Sequence, residues 1–440
     1  MISPSFTVTA PGKIILHGEH AVVYGKKAVA AAIDLRTTLK LEATNDGQFT
    51  LKLLNFGTTC RWKGEELQQD VEKLGRDGSC WPQDGRKLFK RSFDLSEVKE
   101  VDERVINDAI MVVNTSLPVG AGLGSSASYC VCLSTALLAV TGKISQPSMM
   151  RSIPGDEREL CQNEMASLSV KDLELICKWS LEAEKLVHGK PSGIDNSVCT
   201  YGAVLTFQDG TIEHLSRIPQ LRVLITDTKI PRSTKKLVAG LRDRCQQLPS
   251  VYNPLFDAVG AIAEESCVYL EKLYQIQAAS PPEEENSQEH YCMLKKLIDL
   301  NQQLLVTLGV SHSSLDQVCH VTAKHGLHSK LTGAGGGGCT FTLVTPGTRE
   351  LSVSSVTREL TTIGFDVWDT CLGAQGVTLI KMLSQSIRSS GPNSGVSSAI
   401  LPRSEALCRS SHIRVPQLIV QPSASQPLRP IPLLDLGTIH

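Results

Sequence analysis

The chain has 440 residues, of which 41% are hydrophobic and 20% are charged, and its formal net charge at pH 7 is −1. This length and composition predict a globular protein with roughly two to three domains. Because the charge is near zero and no basic run alternates with aromatic residues, the sequence argues against nucleic-acid and membrane partners and favours a small-molecule ligand.

The fourteen cysteines are scattered through apolar stretches and form no Cys-x-x-Cys pair. This pattern predicts reduced, mostly buried thiols in a cytosolic protein. The chain shows no basic leader and no stretch approaching eighteen uninterrupted apolar residues. We therefore expect a cytoplasmic location, with the peroxisome as the alternative.

The N-terminal region predicts strands joined by polar turns. After an alternating strand at Phe6–Ala10, the residues Lys13, Glu19 and His20 are expected in or beside turns marked by glycine. Taken singly, each is more readily explained as an ordinary solvated turn residue. A second apolar strand at residues 28–41 is predicted to form a hairpin with residues 51–54 through an Asn-Asp-Gly turn.

A glycine-rich segment, Thr115–Ser128, lies between a predicted strand at Ala109–Val113 and a predicted helix at Ala127–Val140. The segment therefore ends at a helix N-terminus, where free N–H groups and the helix dipole attract anions. Its glycines would let a phosphate approach the main chain, and Ser125 and Ser126 supply hydroxyl groups for an oxygen or Mg²⁺.

The spacing of this loop matches neither a Walker A motif nor a dinucleotide fingerprint. A nucleotide triphosphate is the ligand that fits it best. The alternative is a strand-to-helix connector that simply requires glycines.

Two carboxylates follow in the sequence. Ser169 and Asp172 have capping-box spacing and open a predicted helix that ends near His188, with Glu184 on its apolar face. An inward Glu184 needs a cation, a metal or a hydrogen-bond donor, unless it lies at the helix edge and extends to water. Asp195 follows in a predicted turn, as a catalytic base or only as a turn residue.

The second half is predicted to be more helical. A density of glycines at residues 333–338, higher than ordinary turns need, directly precedes an apolar strand. The other predicted elements are strands at 205–206, 221–226, 361–376 and 377–380, long amphipathic helices within 235–308, and a helix at 315–324.

Three of these segments together resemble a known family. Pro11–His20, Pro118–Ser128 and Lys330–Cys339 are similar to the three motifs of the GHMP small-molecule kinases, in the same order. Within that family, residues 21–25 and 188–196 resemble the members that act on mevalonate.

The resemblance implies a two-domain α+β fold. Residues 1–225 would form a ribosomal-protein-S5-like α/β domain that binds ATP and substrate, and residues 226–383 a ferredoxin-like α+β domain. Residues 384–440 are rich in Ser, Pro, Arg and Gln and are predicted to be a disordered tail.

The resemblance also assigns site residues. Those implied at the nucleotide are Lys13, Asn55, Thr115, Gly120, Ala121, Gly122, Leu123, Gly124, Ser125 and Ser126. Ser126 and Glu184 would hold Mg²⁺, and Asp195 would be the general base beside Lys13. The residues implied at the acceptor alcohol are Glu19, His20, Tyr129 and Thr234.

The implied reaction is ATP-dependent phosphorylation of the 5-hydroxyl group of mevalonate, in isoprenoid and sterol biosynthesis. The implied protein is a homodimer that prenyl diphosphates inhibit. Two alternatives stay open: a kinase of the same superfamily for another small alcohol, and a catalytically impaired variant that acts as a binding module. The second is favoured by residues 60–104, which are shorter and more polar than the long apolar helix that the family has there.

Overall fold

The computed structural model describes residues 5–44, 46–63, 109–145, 168–188, 191–215, 219–278 and 284–381. In these ranges the strands are β1 (Ser5–His17), β2 (Ala28–Ala43), β3 (Gln48–Leu53), β4 (Thr58–Lys63), β5 (Ala109–Thr115), β6 (Val204–Gln208), β7 (Thr211–Leu215), β8 (Leu221–Asp227), β9 (His328–Leu331), β10 (Cys339–Val344), β11 (Asp366–Leu372) and β12 (Thr378–Lys381). The α-helices are α1 (Ser125–Val140), α2 (Val170–His188), α3 (Ile194–Tyr201), α4 (Thr234–Gln247), α5 (Pro249–Ala278), α6 (Glu284–Thr307), α7 (Ser313–Lys324) and α8 (Glu350–Thr362).

All of these strands belong to one sheet. Its main path runs β4, β3, β5, β2, β11, β8, β10, β9, while β1 pairs with β2 and β12, and β6 pairs with β2 and β7. The long strand β2 joins the two halves of the sheet. It pairs with β1 along most of its length, with β5 near its C-terminal end and with β11 at Ile33. Only β3 and β5 pair in parallel among the described strands.

The predicted hairpin of β2 and β3 is wrong. β5 lies between them, with Thr37–Ala43 of β2 on one side and Phe49–Leu53 of β3 on the other. The apolar strand β5 takes the more central position because its buried residues Ala109 and Met111 pack in the same cluster as α1. The more polar pair of β3 and β4 stays at the edge, where unpaired backbone groups can meet water.

Helix α1 lies under this part of the sheet. Ala127, Val131 and Leu138 belong to one hydrophobic cluster with residues of β1, β2, β3 and β5. Because α1 is buried on several faces, it needs a cover on its outer side, and α2 packs there. The capping box of α2 is confirmed: the N–H of Ser169 donates to Asp172 at 3.0 Å, and the N–H of Asp172 donates to Ser169 at 3.2 Å.

In the C-terminal half, the strand predicted at residues 361–376 is wrong at its start. The alternating pattern expected from residue 361 begins inside α8, which packs through Val353, Val356 and Leu360, and β11 starts only at Asp366. The strand expected at residues 377–380 is confirmed as β12, which pairs with β1.

Three further predictions concern the domain boundary, the C-terminal tail and the shortened segment. The domain boundary expected at residues 225 and 226 lies within β8, and the two-domain division stays a prediction. The tail at 384–440 and the shortened segment beyond Lys63 lie outside the described residues. No helix in the described ranges is long and apolar enough to cross a membrane.

Candidate active site

Lys13 lies inside β1 and not at a turn, so the turn predicted there is wrong. β1 continues to His17, with an irregular register against β2 between Pro11 and Gly12. Gly12 serves a different purpose, because a Cβ at this position would lie 2.3 Å from Cδ2 of Leu117. The glycine therefore allows residues 117–124 to pack directly on β1, where the N–H of Lys13 donates to the carbonyl of Leu123 at 2.9 Å.

The phosphate loop, residues 118–126, has the geometry expected of an anion site. Gly120, Gly122 and Gly124 have positive φ angles of 78°, 81° and 75°, which L side chains rarely adopt. α1 begins at Ser125, and no side chain caps its N-terminus, since the N-cap residue is Gly124. The first N–H groups of α1 are thus available to a phosphate, which fits the nucleotide contacts predicted for residues 120–126.

Asp195 lies in the first turn of α3, after an N-cap at Gly193, so the alternative of a simple turn residue is wrong. Its Oδ1 lies 3.1 Å from Nζ of Lys13, and the two side chains are 34% and 9% exposed. Nζ of Lys13 also donates to the carbonyl of Gly122 at 3.3 Å. One ammonium group therefore joins a partly exposed carboxylate to the phosphate loop.

Glu184 is buried on the inner face of α2, as predicted. Burial raises the pKa of Glu184 to about 7, and the nearby charge of Asp195 adds to this, while Lys13 opposes it. Ser126 lies close by, because its hydroxyl group is hydrogen-bonded to the Cys130 thiol, whose pKa is in turn raised by burial and by the charge of Glu184. Ser126 and Glu184 thus both lie near the Cys130 thiol.

The side chains of Ser126 and Glu184 have the donor atoms to bind one Mg²⁺ ion. Ser126 and Glu184 offer the hard oxygen donors that Mg²⁺ prefers, and a cation between them would offset the burial of the carboxylate. In the described ranges, no group of three or more His, Cys, Asp or Glu side chains could hold a metal ion by itself. The remaining ligands would therefore be phosphate oxygens and water, which is the usual arrangement for Mg²⁺ with nucleotides.

Asn55 and Thr115 lie together at the entrance of the phosphate loop. The amide of Asn55 donates to the carbonyl of Thr115 at 2.8 Å and accepts from the N–H of Thr115, also at 2.8 Å. This double contact fixes the turn at Leu54–Phe56 to the end of β5. Leu54 and Phe56 of this turn and Val119 of the phosphate loop are exposed apolar residues.

The four residues predicted at the acceptor lie in three places. Glu19 and His20 contact the third glycine motif, residues 330–339, since Glu19 pairs with Lys330 and Nε2 of His20 lies 2.8 Å from the carbonyl oxygen of Ala334. Thr234 is the first residue of α4. Tyr129 packs against the hydrophobic cluster of α1 and β5.

Arg232 is a residue that the sequence analysis missed. Its Nη2 donates to the carbonyl of Ala121 at 3.0 Å, and its Nη1 is buried without a hydrogen-bond partner. A Cβ at Gly122 would lie 1.6 Å from Nη2, and one at Gly338 would lie 2.7 Å from Nη1. The guanidinium group therefore lies between the phosphate loop and the third glycine motif.

Burial lowers the pKa of Arg232 from its usual value, and no carboxylate within the described residues forms an ion pair with it. An anionic ligand would offset its charge. The feature of the sequence that could have indicated Arg232 is the density of glycines at residues 333–338, because glycines in such number indicate a close approach by another group.

Together these residues provide the parts that phosphoryl transfer needs. The N-terminus of α1 offers N–H donors for phosphates, Lys13 and Arg232 offer cations, and Asp195 offers a carboxylate beside one of them.

Comparisons with known proteins agree with this chemistry. Residues 87–155 match the family described as GHMP kinases N terminal domain, and residues 288–360 match GHMP kinases C terminal. The chain is 42% identical over 401 residues to the mevalonate kinase of Mus musculus, covering 86% of this chain and 96% of the relative. It is 38% identical over 396 residues to the mevalonate kinase of Arabidopsis thaliana, covering 84% of this chain and 98% of the relative.

Solved structures show the same fold. The mevalonate kinase of Methanococcus jannaschii has a TM-score of 0.60 at 22% identity, covering 83% of this chain and 97% of that one. The L. major mevalonate kinase in complex with R-mevalonate has a TM-score of 0.59 at 21% identity, covering 84% and 96%. The galactokinase of Lactococcus lactis has a TM-score of 0.55 at 16% identity, covering 85% and 94%, so the fold alone does not select the acceptor. The extensive sequence identity does, and the chain therefore belongs to the mevalonate kinase family of the GHMP kinases.

Proposed function

We propose that this chain transfers the γ-phosphoryl group of ATP to the 5-hydroxyl group of mevalonate, giving 5-phosphomevalonate and ADP. The observation that carries the proposal is the contact of Lys13 with both Asp195 and the phosphate loop. This contact supports the proposal, because a carboxylate and a cation lie beside the loop that is expected to bind the phosphates. The identity of 42% to a mevalonate kinase supports the choice of acceptor.

In this mechanism, the N–H groups of residues 120–126 bind the ATP phosphates. Asp195 accepts the proton of the acceptor hydroxyl while the oxygen attacks the γ-phosphorus atom, and the bond from that phosphorus to the β-γ bridging oxygen breaks. Lys13 forms an ion pair with Asp195 and stabilises the negative charge that develops on the attacking oxygen. Arg232 adds a second positive charge at the loop.

Ser126 and Glu184 would hold Mg²⁺ in the active complex. The ion would supply neutralisation of the phosphate charge, which these two side chains alone do not provide. His20 and Thr234 would contact the acceptor, with Tyr129 as a further predicted contact. The binding-module alternative is not favoured, because Lys13 and Asp195 are both present and form an ion pair and because the chain is 42% identical to a mevalonate kinase.

We also propose that the chain acts as a homodimer in the cytoplasm or peroxisome and that prenyl diphosphates inhibit it. The family resemblance supports these points. A diphosphate group has the charge and oxygen atoms to occupy the same N–H groups as the ATP phosphates, so the inhibition is expected to be relieved by ATP.

The test is ADP formation by the purified chain with ATP, Mg²⁺ and a panel of alcohols that includes mevalonate, galactose and homoserine. We expect turnover with mevalonate and a ³¹P signal from a phosphate monoester as product. No turnover with mevalonate from a cooperatively folded sample, or faster turnover with another alcohol, would contradict the proposal.

A further inference from the structure

Glu19 and Lys330 form an ion pair in the interior of the protein. Oε1 of Glu19 accepts a hydrogen bond from Nζ of Lys330, and Oε2 accepts one from the amide of Asn301 at 3.1 Å. The side chain of Glu19 is 1% exposed and that of Lys330 is 0% exposed. Nζ of Lys330 also donates to the carbonyl of Leu331 at 2.7 Å. Both carboxylate oxygens are therefore bound by the protein itself.

Such a pair is a poor source of stability, because removing two charges from water costs about as much as their attraction returns. Apolar residues of similar volume would fill the same space at equal or lower free energy. The pair is more readily explained by what it fixes in place. It joins the turn after β1 to the first residues of the third glycine motif.

Neighbouring contacts connect the same two segments. Thr332 donates through its hydroxyl to the carbonyl of Ile15 at 3.0 Å and accepts from the N–H of Ile15 at 2.9 Å. His20 has a positive φ of 61° and contacts the carbonyl oxygen of Ala334. The third glycine motif is thus attached to β1 and its following turn at three points, of which the ion pair is the buried one.

The opposite side of this motif faces the phosphate loop. Gly338 leaves room for the guanidinium group of Arg232, which in turn donates to the carbonyl of Ala121. A displacement of residues 330–339 would therefore move the wall against which Arg232 packs. Shifts near 1 Å at a catalytic group can lower a rate about a hundredfold.

We infer that Glu19 is a positioning residue: its ion pair with Lys330 sets the third glycine motif against Arg232 and the phosphate loop, and Glu19 does not touch the acceptor. This inference rests on the proposed function. It assigns Glu19 an effect on turnover and not on acceptor affinity, in contrast to the acceptor contact that the family resemblance implied.

The experiment compares Glu19→Gln, Lys330→Met and the double variant. Each single variant leaves one buried charge without its partner, so we expect turnover at saturating ATP and mevalonate to fall about tenfold or more. The double variant removes both charges and is expected to recover turnover to within about threefold of the wild type, with KM for mevalonate unchanged. Glu350→Gln is the matched control, because it removes an exposed partner of Arg222.

The rate of amide hydrogen exchange in residues 332–339 reports whether the motif is held in position, and it is measured without any substrate. The N–H of Gly336 donates to the carbonyl of Val310 at 2.9 Å, and its exchange should quicken in Glu19→Gln and return to the wild-type rate in the double variant. If Glu19→Gln does not fold, the double variant alone is compared with the wild type.

A double variant with turnover as low as the single variant, or with a raised KM for mevalonate, would overturn the inference, since it would mean that Glu19 contacts the acceptor. Unchanged exchange in a folded Glu19→Gln would overturn it as well. If the wild type does not phosphorylate mevalonate, the proposed function fails, and the exchange rates still decide whether the pair positions the motif.

Discussion

The guanidinium group of Arg232 donates a hydrogen bond to the carbonyl oxygen of Ala121 across 3.0 Å, although 111 residues separate them in the chain. Lys13 makes the same type of contact with the next carbonyl, that of Gly122. Two cations from distant segments therefore bind consecutive peptide groups of the phosphate loop. Each is held at the place where phosphate charge is expected.

Gly122→Ala should impair ATP use far more than Gly120→Ala. Both glycines have nearly the same φ, 81° and 78°, so alanine adds similar backbone strain at each, about 1–2 kcal/mol. A Cβ at Gly122 collides with the end of Arg232, whereas a Cβ at Gly120 meets no atom within 4 Å. Displacing a charged hydrogen bond should lower kcat/KM for ATP by a further factor of about 10 to 100.

Initial rates and thermal unfolding of the two variants check this. The melting temperatures should be similar, because the flexible end of Arg232 can move aside. Equal loss of activity in both variants would show that backbone strain, and not Arg232, is responsible.

Asp195→Asn should abolish most turnover while ATP still binds. The amide keeps the shape of the carboxylate but cannot accept the hydroxyl proton, so kcat should fall by a factor of about 10² to 10⁴. ATP affinity, measured by calorimetry, should change little because Lys13 keeps its contact with Gly122. Asp257→Asn, which removes the exposed partner of Lys26, is the control. Near-normal turnover of Asp195→Asn would remove Asp195 from the role of general base.

Glu184→Gln should raise the Mg²⁺ concentration needed for half-maximal rate. The substitution preserves size and removes one negative ligand, so metal affinity should fall while the fold persists. Glu182→Gln on the same helix changes an exposed carboxylate that pairs with Lys185 and should leave the Mg²⁺ dependence unchanged. Identical Mg²⁺ titrations for the two variants would place the metal elsewhere.

Acid should destabilise the protein below pH 6.5 through His17. Burial, together with the nearby charge of Lys330, lowers the pKa of His17 well below its usual value of 6.5. The folded state therefore binds fewer protons than the unfolded state below pH 6.5. The stability that His17 contributes is present above that pH and is lost as the pH falls toward the folded-state pKa.

One such group can change the free energy of unfolding by up to about 1.4 kcal/mol per pH unit. We therefore expect the free energy of unfolding, measured with urea between pH 5 and 7.5, to depend less steeply on pH in His17→Leu than in the wild type. Parallel slopes would mean that His17 does not carry this effect.

Local patterns could be predicted from the sequence, and contacts between distant segments could not. The cap formed by Ser169 and Asp172, and the inward face of Glu184, follow from spacing within one helix. The place of β5 between β2 and β3 depends on which strand buries more apolar surface, and the order of segments along the chain does not contain that information.

The same contrast between local patterns and contacts of distant segments applies to the candidate active site. The phosphate loop was predicted from its glycines and the helix that follows it. Lys13 was placed at a turn because Gly12 was interpreted as a turn residue, whereas it provides room for Leu117. Arg232 was missed because its partners, Ala121, Gly122 and Gly338, are more than 100 residues away in sequence.

The pairing of β12 with β1 has a consequence for the order in which the chain is made. Phe6 pairs with Lys381 and Thr9 with Thr378, so the first described strand acquires this neighbour only after residue 381 has been synthesised. Until then, the backbone N–H and C=O groups at the edge of β1 next to Phe6 and Val8 have no strand to pair with. During synthesis this edge can pair with strands of other chains. The same pairing brings residues 5 and 381 side by side, so a circular permutant that joins them through a short linker should fold and would be free of this delay.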